Sequence, residues 1–278
     1  MNDRKARADQ LPVDKLRPFE GHPFHVKDDE EMDRLVYSVL TQGLLTPIVV
    51  RPLENGEYEV ISGHRRLRAC LKAGIQTVPA LIYALDRDEA AIALVDSNLH
   101  REWILPSEKA YAYKLKMEAL SHQGTSGQVG QKWTRDEIAA EESGRQVQRY
   151  IRLTNLIPEI LTMVDEGKIA LTPAVELSYL TDEEQRNLLE TMESEDCTPS
   201  LSQAQQLKKL SQSGLLDMDK TLELLQQPKG NQKENLRLDL GEIRRFFPKN
   251  YTTERIAKTI MQLLEQYERK WRKNRDAR

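Results

Sequence analysis

YEVISGHRRLRACLKA, residues Tyr58 to Ala73, is the stretch whose reading decides the fold. Tyr58-Glu59-Val60-Ile61 alternates like a half-buried strand, and Ser62-Gly63 interrupts it. A helical pattern follows, with Leu67, Cys70 and Leu71 on one face and Arg65, Arg66, Arg68 and Lys72 largely elsewhere. A strand that passes through glycine into a cation-rich helix start suits an anion. Free N–H groups and the positive dipole end attract it, glycine lets the backbone come close, and arginine forks pair with phosphate oxygens. The same residues also fit a plain turn followed by a solvated cationic face.

Working outward, the flanks extend a small α/β layer. Upstream, Asp28 with Glu31 reads as a capping box, followed by Met32, Leu35, Val36, Val39 and Leu40 at helical spacing and a stop at Gly43. Pro47-Ile48-Val49-Val50 reads as a buried strand, and Asn55-Gly56 as the hairpin turn that leads to Tyr58. Downstream, Val78 to Tyr83 is a further strand, with Pro79 near its start. Beyond Asp88 the pattern is helical: Ala90 to Leu99, then a helix opened by Pro106-Ser107 that runs through Leu120. His122 to Lys132 is a Gly/Ser/Gln joint.

Thr134 to Leu153 has the form of a helix-turn-helix. Thr134 and Glu137 make a capping box, Glu142-Ser143-Gly144 the turn, and Arg145 to Leu153 the second helix. Val147, Tyr150 and Ile151 form its packing side, which leaves Arg145, Gln146, Gln148, Arg149 and Arg152 largely opposite. Arg and Gln suit base edges in a major groove, and Arg also holds phosphates. A helical hairpin with a charged surface is the alternative. Ile157 to Leu225 is a run of short helices, with Pro158, Pro173 and Pro199 at their starts. The tail from Ile243 to Arg278 contains 11 Lys/Arg and 4 Asp/Glu, and Ile256, Ile260, Leu263, Leu264 and Tyr267 follow helical spacing. It reads either as a charged packing helix or as a dimer contact that also meets DNA.

Composition sets bounds. The chain has 278 residues, 39% hydrophobic and 31% charged, with a net charge of −3. Nucleic-acid contact must therefore come from local patches. Cys70 and Cys197 are far apart and suggest no disulfide framework, which fits a reducing cytoplasm. No run reaches the length of a membrane span. MNDRKARADQ is charged without an apolar core and reads as a flexible arm, not a signal peptide. His22 and His25 are close, but no other residue extends them into a zinc ligand set.

Taken together, these segments resemble a known family. ISGHRRLRA resembles the GERRxRA box of ParB-type DNA-partition proteins. LPVDKLRPF and DDEEMDRLVYSVLTQGLLTPIVVRP resemble that family's opening, and VDSNLHREWILPSEKAYAY its ENLQRxxLxPxEEAxAY segment. WTRDEIAAEESGRQVQRYIRLTNLIPEIL sits where the family keeps its helix-turn-helix, and GKIALTPAVELSYL resembles the segment behind it. The resemblance covers roughly Leu11 to Leu180 and implies an α+β chain. Its expected parts are an arm (1–10), a ParB/sulfiredoxin-like α/β domain (11–104) and an all-α DNA-binding domain (105–227) with its helix-turn-helix at 134–154. A linker (228–242) and a basic amphipathic helix (243–278) complete it.

The resemblance also implies a function. Gly63, His64, Arg65 and Arg66 would hold the triphosphate of CTP, and Asn98, with Arg101 nearby, would lie at the phosphates and a Mg²⁺ ion. The protein would act as a homodimer on an inverted-repeat site in double-stranded DNA, at the nucleoid or a plasmid. A ParA-type ATPase is a possible partner, with Asn2 to Gln10 as one place to meet it. Three departures bear on CTP hydrolysis, which stays open: His64 replaces the glutamate of GERR, Ser97 that of ENLQR, and His22-Pro23-Phe24 the family's QPR. A transcription or nucleoid-occlusion factor on the same scaffold is an alternative. So is sulfiredoxin-like chemistry, whose GCHR box is matched only at His64-Arg65, with Gly63 at the cysteine position and Cys70 on the packing side. A nuclease is a further alternative, although no carboxylate cluster for two metals is evident.

Overall fold

The computed structural model describes residues 6–101, 103–123, 143–227, 243–248 and 251–276. The chain divides into two units, Met1–Gln227 and Pro228–Arg278. The first unit begins with strands β1 (Arg7–Pro12) and β2 (Leu16–Pro18), then helix α1 (Glu30–Gln42). Strands β3 (Ile48–Pro52) and β4 (Tyr58–Ser62), helix α2 (His64–Lys72) and strand β5 (Thr77–Ile82) follow. They form one mixed sheet in the order β1-β5-β3-β4-β2. β3 and β4 are the antiparallel hairpin expected from Asn55-Gly56, and Gly56 has the positive φ that such a turn demands.

Both faces of the sheet are covered, which is why Ile48-Val49-Val50 is apolar without alternation. Ile48, Val50 and Val60 pack with Met32 and Val39 of α1 and Leu67, Ala69 and Cys70 of α2. Val49 and Ile61 face the other way, toward α3 (Arg87–Leu99) and α4 (Pro106–Gln123). α4 also belongs to the helical region. Its Tyr113 packs on Val147 of α5 (Gly144–Arg152), and its Ala110 joins the core of the helices that follow. Residue 104, the expected end of the first domain, therefore falls inside a single unit.

Among the described residues, the α-helices that follow in this unit are α6 (Pro158–Asp165), α7 (Leu171–Leu177), α8 (Asp182–Ser194), α9 (Leu201–Gln212) and α10 (Met218–Gln226). Their core includes Leu153, Ile160, Leu177, Leu188 and Leu207, all fully buried. Gln185, also fully buried, accepts from Ile157 N and donates to Asn155 O and Leu180 O. This satisfies its polar atoms inside an apolar layer.

Two expectations are corrected. Residues 7–10 of the expected arm (1–10) belong instead to edge strand β1, whose main chain pairs with β5 from Arg7↔Ile82 to Pro12↔Thr77. The cap of α1 is Asp29, which accepts from Met32 N at 2.9 Å. Asp28, the expected cap, instead binds Arg68 and Lys72. The first helix of the expected helix-turn-helix, residues 134–140, lies outside the described residues, as do most of the 122–132 joint and the 228–242 linker. In the second unit, helix α11 (Thr253–Asp276) leaves Leu263, Leu264 and Tyr267 exposed. Among the described residues no helix is long and apolar enough to cross a membrane.

Candidate nucleotide and nucleic-acid sites

Gly63 joins β4 to α2 with φ 105°, a left-handed conformation that favours glycine. The side chain of Arg66 folds back over it, so that a Cβ added at Gly63 would lie 3.1 Å from Arg66 Nη2. Arg66 Nη1 donates to Thr46 O at 2.7 Å and Pro47 O at 2.6 Å. Arg66 thus ties the start of α2 to the loop before β3. The sequence expectation treats it as a phosphate ligand, but its guanidinium is engaged by main-chain carbonyls.

The other cations of α2 face an acidic segment. Arg65 Nη2 lies 3.2 Å from Asp29 Oδ1 and 3.3 Å from Glu31 Oε2. Arg68 and Lys72 each stand 2.9 Å from an oxygen of Asp28. Hydrogen bonds from Arg68 and then Lys72 hold the Asp28 carboxyl down at about 2.

His64 settles one departure from the family pattern. Its ring lies 3.8 Å from that of His22, tilted by 43°. Its Nε2 accepts from Phe19 N at 3.4 Å, which fixes the neutral tautomer. Burial, then the nearby His22 and Arg101, lower it to about 3. His22 is also lowered, first by burial, and its buried Nε2 has no hydrogen-bond partner. The pair is therefore neutral at pH 7, and the position where the family has an anion carries no charge.

Arg101, just past α3, completes the cluster. It lies 5.5 Å above the Phe24 ring, close enough to influence His22, His64 and Arg65 electrostatically. Burial lowers its pKa, and Glu108 opposes that shift. Glu108 accepts from His25 N at 2.7 Å and from Leu105 N at 3.2 Å. Asn98 is buried and donates through Nδ2 to Leu94 O at 2.7 Å and to Ser97 Oγ at 3.2 Å. Only its side-chain oxygen remains suited to a cation. Among the described residues, no three His, Cys, Asp or Glu side chains stand close enough to hold a metal ion. His25 Nδ1 sits 3.3 Å from Glu108 Oε1. Sequence reasoning missed Glu108 as a member of this cluster, and it read His22-Pro23-Phe24 only as a departure from the family's QPR.

Cys70 is fully buried among Leu67, Ala69 and Val78, and burial pushes its thiol up. A thiol in that setting packs and does not react.

The helical face divides the five expected DNA residues. Ser143 caps α5 by accepting from Gln146 N. Val147 is buried, and the Tyr150 ring lies 5.9 Å from that of Tyr113. Arg145 is exposed, and Arg149 bonds both Gln146 Oε1 at 3.1 Å and Thr172 Oγ1 at 2.6 Å. These three residues make an outer row that takes in Thr172. Gln148 and Arg152 do not point outward as expected. Gln148 Nε2 lies 3.8 Å from Met117 Sδ, while Arg152 donates to Ser178 O and stacks 3.9 Å over the Tyr179 ring. One turn apart, they share the flank of α5 that meets α4 and the end of α7.

Residues 2–99 match the family model described as the ParB N-terminal domain. A nucleoid occlusion protein from Listeria innocua is 35% identical over 191 residues, covering 67% of this chain and 63% of that protein. The chromosome-partitioning protein Spo0J of Thermus thermophilus is 35% identical over 177 residues, covering 63% and 61%. The chain thus spans between two fifths and two thirds of the curated relatives it matches, with 44% for a nucleoid occlusion protein of Listeria monocytogenes. Among solved structures, a C-terminally truncated Caulobacter crescentus ParB complexed to the centromeric parS site aligns at 24% identity. The alignment has a TM-score of 0.44 and covers 79% of this chain and 100% of that one. The same protein complexed with CTP-gamma-S aligns at 27% identity and a TM-score of 0.32, covering 63% and 94%. Residues 2–99 thus belong to the ParB N-terminal domain family.

Proposed function

We propose that this protein is a ParB-type DNA-binding factor whose N-terminal domain binds CTP with Mg²⁺. The observation that carries the nucleotide reading is the Gly63 turn at the N-terminus of α2 beside a neutral histidine pair, with Arg101 close to that pair and Arg65 close to Arg101. The site then presents cations and N–H groups with no anion at the position where the family has glutamate. Arg65 and Arg101 contact phosphate, Gly63 and His64 lend backbone N–H groups, and Arg66 holds the turn in shape. A bound Mg²⁺ would screen the phosphate charges, with the Asn98 oxygen as the protein atom suited to it. The proposal assigns binding and not turnover, because Ser97 Oγ donates to Leu94 O at 2.9 Å and supplies no carboxylate.

The DNA reading rests on the outer row of Arg145, Gln146 and Arg149 with Thr172. Two copies acting on an inverted repeat would place these rows in successive major grooves, with half-sites about one helical turn or a multiple apart. Nucleoid occlusion and chromosome or plasmid partition both use such a factor. Relatives of both names match this chain, and a ParA-type ATPase would be its partner in the partition role. Fluorescence anisotropy with palindromic and random duplexes over a salt series tests the DNA reading. Affinity is expected to fall steeply with salt and to favour a palindrome. Binding that ignores salt would overturn it.

A further inference from the structure

Arg65, the cation on which the nucleotide reading leans most, already holds an anion. Its Nη2 meets Asp29 Oδ1 at 3.2 Å and Glu31 Oε2 at 3.3 Å. The same Asp29 oxygen caps α1 by accepting from Met32 N at 2.9 Å. These carboxylates are not there for packing. The Glu31 side chain is 77% exposed and that of Asp29 40%, whereas Arg65 is 31% exposed. Exposed pairs of this kind add little to stability. They do, however, place two negative charges on the guanidinium that a phosphate chain must engage. Arg101 is close enough to Arg65 to be felt by it, so the two cations repel each other until an anion lies between them.

We infer that Asp29 and Glu31 are affinity-determining residues of the nucleotide site, an internal carboxylate pair that competes with phosphate for Arg65. The inference rests on the nucleotide reading proposed above. A phosphate chain at the start of α2 takes Arg65 from Asp29 and Glu31, and then stands beside two like charges. Asp28 stays tied to Arg68 and Lys72, so the segment remains tethered while residues 29–31 give way. The pair sets how tightly any polyphosphate binds, independently of base and sugar. It also links occupancy of the site to the first turn of α1.

Calorimetric titration of the full chain tests this, with wild type, Glu31→Gln and Asp29→Asn. The probes are CTP with Mg²⁺ and inorganic tripolyphosphate without metal. Asn caps a helix about as well as Asp, so Asp29→Asn removes the charge and keeps the cap. Both variants are expected to fold normally and to bind both probes about three- to tenfold more tightly, the size set by one partly exposed charge. If wild type binds but the variants bind with unchanged or lower affinity, the competitor role is wrong and the nucleotide reading stands. Weakening seen only with Mg²⁺ also overturns the inference, because the carboxylates then serve the metal. If no form binds either probe, the nucleotide reading itself fails and this inference goes with it.

Discussion

Lowering the pH should destabilise the first unit through His64, and the size of the effect follows from the structure. The imidazole stands at about 3 in the folded chain, because burial, His22 and Arg101 all oppose its protonation, against 6.5 in the unfolded chain. The unfolded chain therefore takes up a proton that the folded chain refuses. Stability from this group is fully present above pH 6.5 and is lost as pH falls from 6.5 toward 3. Each pH unit within that window is worth up to about 1.4 kcal/mol. Between pH 7.5 and 5.0 the loss from His64 amounts to roughly 2 kcal/mol. His22 is shifted the same way and adds to it. Asp28, held at about 2, and Asp29, also lowered, keep their charge throughout this range and do not contribute. Urea denaturation of wild type and His64→Gln at pH 7.5, 6.5, 5.5 and 5.0 measures the effect. The glutamine oxygen can still accept from Phe19 N, while the remaining histidines are common to both proteins. The variant should lose about 2 kcal/mol less than wild type across the series. Parallel pH profiles would refute the assignment of a neutral, half-buried His64.

Five further outcomes follow. Arg66→Ala removes two charge-assisted bonds to Thr46 O and Pro47 O and should cost about 2–3 kcal/mol in denaturant titration. An unchanged midpoint would mean that the clamp does not exist in solution. Gly63→Ala puts a side chain at φ 105° and against the Arg66 guanidinium, which should cost about 1–3 kcal/mol. Cys70 should resist alkylation in the native state and react on unfolding, and rapid native labelling by mass spectrometry would contradict its burial. Arg145→Ala should lower DNA affinity and reduce the salt slope by about one unit. Arg152→Ala should mainly lower the melting temperature, since that side chain grips Ser178 and Tyr179.

Much of the first module was legible because its signals are local. The unbroken apolar run Ile48-Val49-Val50 marks a strand covered on both faces, and Asn55-Gly56 fixes the hairpin beside it. β1 was not legible. Arg7 to Gln10 are mostly exposed, and what recruits them is main-chain pairing with β5, which leaves no trace in side-chain polarity. Asp28 and Asp29 are equal candidates for a cap by composition. Asp28 is drawn away by Arg68, 40 positions on, and by Lys72, whereas Asp29 keeps the Met32 N–H while it also meets Arg65.

The site follows the same rule. Arg65 and Arg66 were found from spacing along α2 and Arg101 from the family resemblance, but neither tells whether an arginine head meets phosphate, carbonyl or carboxylate. Arg66 found carbonyls and Arg65 found Asp29 and Glu31. The His22–His64 stack joins residues 42 apart, and Arg152 is set by a tyrosine two helices on. Such partners belong to tertiary packing, which a periodic pattern does not encode.

The most direct test is calorimetric titration of CTP, ATP, GTP and UTP, each with Mg²⁺ and a palindromic duplex, into wild type, Arg65→Ala and Arg101→Ala. Saturable heat is expected with CTP for wild type, and each variant should bind roughly tenfold to a hundredfold more weakly, as fits the loss of one charge-assisted contact of about 1.5–3 kcal/mol. Wild type that takes up no triphosphate, or variants that bind as tightly as wild type, would contradict a phosphate site built on Arg65 and Arg101.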